Sequence, residues 1–277
     1  MIASTASPAA DFLAVKDVLL CPDPQQKIAG LRELLARWPT AGVPGGEDAV
    51  QPIAVPGRPE RPLLVAPRAL ESRGLGTPVG RAVLVHAIAH IEFNAINLAL
   101  DAVYRFRGMP EAYYRDWLGV AADEARHFEL LAARLGELGF EYGEYPAHNG
   151  LWEAACRTDH SCLQRMALVP RVLEARGLDV TPAMIARLRH AGDAQTALIL
   201  ELILREEVAH VECGTRWFQY CCALDGVDAE ATFLDLVRTH ASASIRLPFN
   251  ADARLRAGFT TGEQAGLERI AELHQGH

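Results

Sequence analysis

A chain of 277 residues, 50% of them hydrophobic and 22% charged, is long enough for one large domain or two small ones and can fill a substantial core. Its net charge of -8, with lysines and arginines scattered along the chain, offers no basic face of the kind that neutralises phosphates, so nucleic-acid binding is unsupported. No basic region precedes an apolar stretch at the N-terminus, and the most apolar run, 79–99, is interrupted by Arg81, His86, His90, Glu92, Asn94 and Asn97. These features predict a soluble cytoplasmic protein with no membrane partner.

Two short helices are expected over residues 9–20 and 24–38, the second with Leu31, Leu34 and Leu35 on one face. Residues 39–68 carry Pro39, Pro44, Pro52, Pro56, Pro59, Pro62 and Pro67 and read as an extended connector. A long helix over 77–106 comes next, broken at Gly108 and Met109. Pro110 then stands at the first turn of a helix reaching Leu138. After a loop over 140–150, residues 152–177 read as a helix bent at Pro170, and Thr181-Pro182 as the start of a short helix ended by Gly192. Asp193 caps another long helix to Leu224, and Thr260 with Glu263 offers a capping box for a last one. The six cysteines contain no CxxC pair and read as reduced, small-hydrophobe residues.

The fold class is therefore all-α. Residues 1–75 form a helical preface and Pro-rich connector packing on a bundle, 76–225 a four-helix bundle, and 226–277 a C-terminal helical extension.

The chemistry lies where charge falls on helix faces that should be dry. Glu92 shares its face with Ile88, Ala89, Ala95, Ile96 and Ala99. Glu124 lies with Val120, Ala121, His127, Phe128 and Leu131, and Glu207 with Ile203, Leu204, His210 and Val211. A buried unpaired carboxylate costs several kcal/mol, so each of these requires a cation, a hydrogen-bond network or a raised pKa.

Metal binding answers that requirement. Glu124 to His127 and Glu207 to His210 are both Glu-x-x-His, which places a carboxylate and an imidazole one turn apart on one face. About one such motif is expected by chance, so the arrangement around the two carries more weight. Glu92 precedes Glu124 by 32 residues and Glu174 precedes Glu207 by 33, a concealed duplication. From Glu92 to Phe106, and again from Pro110 to Glu124, is 14 residues, which returns both carboxylates to one level of an antiparallel pair. The second interval is less regular, because Gly177 is expected to end the helix just after Glu174. Four carboxylates and two neutral imidazoles give a charge of -4, matching two divalent ions. Oxygen donors with imidazole favour iron first and manganese second.

Other readings stay open at several positions. Glu207 could pair with Arg205 or Arg216, Glu124 with Arg126, and Glu174 with Arg171 or Arg176 as a surface ion pair. His86 and His90 read as core histidines or as supports of the ligands, because His90 lies about 200° round its helix from Glu92. Glu201, Glu206 and Glu212 are further ligand options, and His148 and Trp152 are expected to pack the loop over the bundle.

The phrases HIEFNAINLALDAVYRF, DEARHF, HNGLWE, RMALVPRVLEARGLDVTP, ILREEVAHVECGTRWF and LPFNADARLRAGF resemble the ferritin-like superfamily of di-iron carboxylate proteins. Within it they look like the branch known only as domain of unknown function 455, over roughly residues 60–260. The resemblance implies Glu92 and Glu174 as terminal ligands, Glu124 and Glu207 as bridging ligands, and His127 and His210 as one imidazole for each of two iron ions. The branch is similar in outline to a tRNA-modifying hydroxylase family of the same superfamily.

Two functions of different class are compatible with these features. One is a di-iron oxidase or hydroxylase that activates dioxygen or peroxide against an unidentified substrate. The other is a non-catalytic metal-binding or iron-storage protein. A homodimer is compatible with either. The residues before and after the bundle could cover a substrate pocket, which favours the enzyme.

Overall fold

The structure is a computed structural model that describes residues 8–38, 49–71 and 73–275. It is all-helical. No strand forms among the described residues, where one isolated bridge joins Leu64 to Ala147. The chain divides into two compact units, Met1–Cys156 and Arg157–His277.

In the first unit α1 (Pro8–Leu20) and α2 (Pro24–Arg37) precede α3 (Pro78–Arg105), α4 (Glu111–Glu137) and α5 (Gly150–Arg157). The part of the expected connector over residues 39–48 lies outside the described residues. Thr77 caps α3 through Gly80 N, with Pro78 in the first turn. Pro110 takes the cap position of α4, one residue earlier than its expected place inside the helix. The short turn between α3 and α4 is fastened by Tyr114, whose hydroxyl donates to Phe106 O at 3.1 Å and accepts from Met109 N at 3.1 Å. So short a link makes the two helices an antiparallel hairpin with an extensive mutual contact. By length and apolar composition α3 could cross a membrane, but 78% of its most apolar window is buried inside the chain, as befits a core helix.

Helix α1 packs on α3 and α2 on α4. A buried lysine ties them together. The Lys27 Nζ on α2 donates to Val18 O at 3.0 Å and Leu19 O at 2.7 Å, carbonyls of the last turn of α1, and to Asn97 Oδ1 on α3 at 2.7 Å. Burial lowers its pKa from 10.5 to about 7, against a smaller opposing influence from Cys21. Trp152 on α5 is buried and donates its indole N–H to Ala54 O, so it anchors the Pro-rich connector rather than the loop before it.

The second unit departs further from expectation. Helix α5 stops at Arg157 instead of continuing to Gly177, and Ser161 caps a new helix, α6 (Cys162–Leu168). Pro170 does more than bend a continuous helix. It sits in a π-helical turn, Val169–Glu174, closed by the Ala175 N–H on Pro170 O five residues back. Helix α7 (Ala175–His190) then runs unbroken through Gly177, Thr181 and Pro182, so no new helix starts at Thr181. The reason is local. A proline at 182 cannot donate to Leu178 O, and Asn250 Nδ2 fills that acceptor at 3.1 Å.

Gly192 (φ 77°) turns the chain, and Asp193 caps α8 (Ala194–Asp225) through Thr196 N at 3.0 Å and Thr196 Oγ1 at 2.7 Å. Helices α7 and α8 form the second antiparallel hairpin. Helices α9 (Ala229–His240), α10 (Ala251–Arg256) and α11 (Thr261–Gln275) complete the unit. The expected capping box is present: Thr260 N donates to Glu263 Oε2 and Glu263 N to Thr260 Oγ1, both at 2.9 Å.

The Lys27 clamp makes a measurable prediction. Its folded pKa lies below the unfolded value, so the unfolded chain binds more protons between pH 7 and 10.5 and this residue's contribution to stability rises across that window. Lys27→Met leaves three acceptors unfilled and should lose about 1–3 kcal/mol at pH 9 in urea denaturation. The gap to the unsubstituted chain should widen as pH rises from 7; a gap that narrows would refute the buried, poorly solvated ammonium.

Candidate metal centre

The first hairpin brings three of the expected ligands together. Glu92 on α3 is flanked by buried Ile88, Ala89, Ala95, Ile96 and Ala99, and Glu124 on α4 by buried Val120, Ala121, Phe128 and Leu131. The two helices meet with 92 opposite 124 because both are equidistant from the turn at Gly108. The His127 Nδ1, on the fully buried ring, lies 3.1 Å from Glu92 Oε2 and 3.3 Å from Glu124 Oε2. One ligand atom from each residue lies within 4.8 Å of the others. That spread is slightly wider than the roughly 3–4.2 Å between atoms bonded at about 2.1 Å to a shared ion.

The electrostatics point the same way. Burial alone would lower the pKa of His127, but hydrogen bonds and attraction from Glu124 and Glu92 outweigh it and push it up from 6.5 to about 11. When ionised, the two carboxylates bring a charge of -2 into this buried group. A divalent ion bound by both carboxylates and a neutral imidazole makes the same volume neutral. Hard oxygen donors and one nitrogen are thus a set that fits such an ion. Arg126, the alternative partner for Glu124, is directed to Asp123 at 2.8 Å.

The second unit carries the other three residues. The His210 Nδ1 lies 3.3 Å from Glu207 Oε1, with His210 and Val211 buried and Glu207 slightly open. Arg216 reaches Glu212 at 3.5 Å. Glu174 ends the π-turn with its Oε2 shielded from solvent. The arginines that could have held it as a surface pair have strong partners elsewhere: Arg171 with Glu263 at 2.7 Å, and Arg176 with Arg246 O at 3.0 Å.

The irregular second interval is resolved by the unbroken α7. Pro170 abuts α8 at Gly214, where a Cβ would overlap the proline ring. In an antiparallel pair, four residues forward on one helix is level with four residues back on the other, so Glu174 stands level with His210. The same register follows from Gly192 as the midpoint of the turn, since 192 − 174 and 210 − 192 both equal 18. Glu92 and Glu124 stand in the same relation about Gly108.

His86 and His90 are core residues of the first unit. The His86 Nε2 accepts from Gly143 N at 2.9 Å, and His90 Nδ1 meets the Tyr142 hydroxyl at 2.9 Å. Burial lowers both imidazoles to about 4, keeping them neutral. Tyr142 escaped the sequence reading. Its ring packs on Phe93 and Phe128, next in sequence to Glu92 and His127, at 5.9 and 5.0 Å between centroids. The aromatic-rich stretch from Phe140 to Tyr145 was the available signal. A cavity of about 350 Å³ opens beside Val83, Ala87, His90, Ile91 and Asn94, half a turn round α3 from Glu92. His148 lines that cavity.

In chelator, the His127 group has a defined pH signature. A folded pKa near 11 against 6.5 unfolded contributes stability fully present below pH 6.5 and lost as pH climbs toward 11. The stability difference between the unsubstituted chain and His127→Gln should therefore shrink from pH 6.5 to 9, opposite in sign to the Lys27 trend. A flat or growing difference in denaturant titrations would contradict the paired imidazolium.

The comparisons carry a family but no activity. The family described as "Protein of unknown function (DUF455)" matches residues 20–265. An "Uncharacterized protein" of Haemophilus influenzae (strain ATCC 51907 / DSM 11121 / KW20 / Rd) is 46% identical over 224 residues, 78% of this chain and 77% of its own length. No solved structure matches. A match over most of the chain, together with a relative this close, shows that the chain belongs to the DUF455 family.

Proposed function

We propose that the protein is a ferritin-like, two-metal oxidoreductase in which Glu92, Glu124 and His127 hold one ion and Glu174, Glu207 and His210 the other. Iron is the first choice of metal and manganese the second. The observation that carries the reading is the buried cluster of Glu92, Glu124 and His127, two carboxylates and an imidazole gathered out of water with ligand atoms close enough to share an ion.

The second triad repeats the first in residue type and closely in spacing, with Glu174 level with His210 about its own hairpin turn where Glu92 is level with Glu124. Two carboxylates and one imidazole per ion leave each triad neutral when a divalent metal is bound, and leave coordination positions for a small co-substrate. When bound, iron supplies one-electron redox chemistry toward dioxygen or peroxide. The chain's own part is to supply anionic ligands, to keep His127 in place between two carboxylates, and to bury the hairpin with apolar side chains such as Phe93 and Phe128, neighbours in sequence of Glu92 and His127, whose rings lie 5.3 Å apart. An apolar lining restricts water and favours oxidation of an organic substrate over release of reactive oxygen species.

Metal analysis tests the reading. Protein loaded with ferrous iron without oxygen and then desalted should retain two ions per chain. Glu124→Ala combined with Glu207→Ala should retain none, while helical content by circular dichroism stays unchanged. Unaltered metal content in that double variant would sink the assignment. On admission of dioxygen, iron uptake should saturate at two per chain, and accumulation of many ions as a mineral would instead make the protein a store.

A further inference from the structure

The C-terminal helices grip the segment around Glu174 at two points. On one side Arg171, fully buried, donates its Nη2 to both oxygens of Glu263 at 2.7 Å and its Nε to Thr215 Oγ1 at 3.2 Å. Its guanidinium lies over Phe233 at 3.9 Å, Phe259 at 4.7 Å and Phe218 at 4.9 Å. Glu263 is itself held by the capping box with Thr260. On the other side Asp179 receives Arg254 Nε at 3.0 Å and Nη2 at 2.7 Å, and Asn250 fills the Leu178 carbonyl orphaned by Pro182.

The first grip falls within the π-turn, and Glu174, on which the turn ends, lies between the two. Helix α8 closes on the turn from a third direction, at Gly214, on the stripe that also carries Glu207 and His210. Two buried guanidinium–carboxylate pairs are an expensive way to hold a terminal extension on a helix, since desolvation consumes most of their attraction. What such pairs do well is fix one geometry, because the planar guanidinium is held at two nitrogens at once, by Glu263 and Thr215 for Arg171 and by both oxygens of Asp179 for Arg254.

We propose that the Arg171–Glu263 pair is a positioning device for the metal site: the C-terminal helices hold the π-turn so that Glu174 presents its carboxylate at the level of His210. The proposal rests on the two-metal reading above and gives the region after residue 225 a role in it. Arg171 and Glu263 are positioning residues that act through Glu174 and do not touch the metal.

Cobalt(II) serves as the probe, its absorption bands reporting the ligand field while a titration reports affinity for each ion. The unsubstituted chain should bind two ions. Glu174→Ala should weaken one of them, and Glu263→Gln should weaken the same one by about 10–100-fold, the size usual when a support of a ligand is lost. Combined with Glu174→Ala, Glu263→Gln should cause no further loss and no further change in the bands, because its effect passes through a ligand already removed. Should Glu263→Gln fail to fold, Arg171→Met with Glu263→Met removes both charges without stranding either and is expected to give the same loss.

Tight binding of two ions by both of these altered proteins, or additive losses in the combined variant, would overturn the positioning role. Fewer than two ions in the unsubstituted chain, or no effect of Glu174→Ala, would instead overturn the two-metal reading, and the positioning role with it.

Discussion

The constraint on which the rest of the structure turns is the burial of two carboxylates around a single imidazole. Glu92 and Glu124 both face His127 at hydrogen-bond distance, and all three are withdrawn from water. Water screens charge poorly there, so such a group requires a compensating cation, a shared proton or further hydrogen-bond partners. The surrounding architecture is what makes so costly a grouping persist. A 28-residue helix and a 27-residue helix are locked by a short turn, with Tyr114 fastening that turn at both of its ends.

The second hairpin meets the same demand by a less regular route. Its first arm is assembled from a short helix, a π-turn and a helix that tolerates an internal proline. Each irregularity has a local answer: Gly214 makes room for Pro170, Asn250 completes the backbone at Pro182, and Arg171 finds Glu263. The result sets Glu174 level with His210, where the first hairpin sets Glu92 level with Glu124. In both units one pair of candidate residues is equidistant from a glycine turn, at Gly108 and Gly192, each with positive φ. The clamp made by Lys27 adds a further buried charge, satisfied by three oxygens and so free of any need for a metal.

Much of this was legible in the sequence. The caps at Thr77, Asp193 and Thr260, the glycines after long periodic segments, and the charged residues on apolar faces are local signals, and each stands where those signals put it. The first hairpin and the clustering of Glu92, Glu124 and His127 needed nothing more. The path from Trp152 to Gly192 is not legible from local rules, which do not know which donors arrive from afar. Thr181-Pro182 is a good helix start by any local criterion, and only a side chain 68 residues later, Asn250, lets the helix pass through it. The π-turn is hidden for the same reason, since a proline predicts a break but not how the backbone closes around it. Ion pairs such as Arg171 with Glu263, 92 residues apart, leave no periodic trace, and so the contacts of the C-terminal region could not be read from its own residues.

The most direct test of the central claim is where the metal goes. Crystals of protein loaded with ferrous iron without oxygen, measured at the iron absorption edge, should give two anomalous-difference peaks per chain. One peak should be bonded by Glu92, Glu124 and His127, and the other by Glu174, Glu207 and His210. Peaks confined to the surface, or none within bonding distance of Glu92, Glu124 and His127, would contradict the account at its foundation.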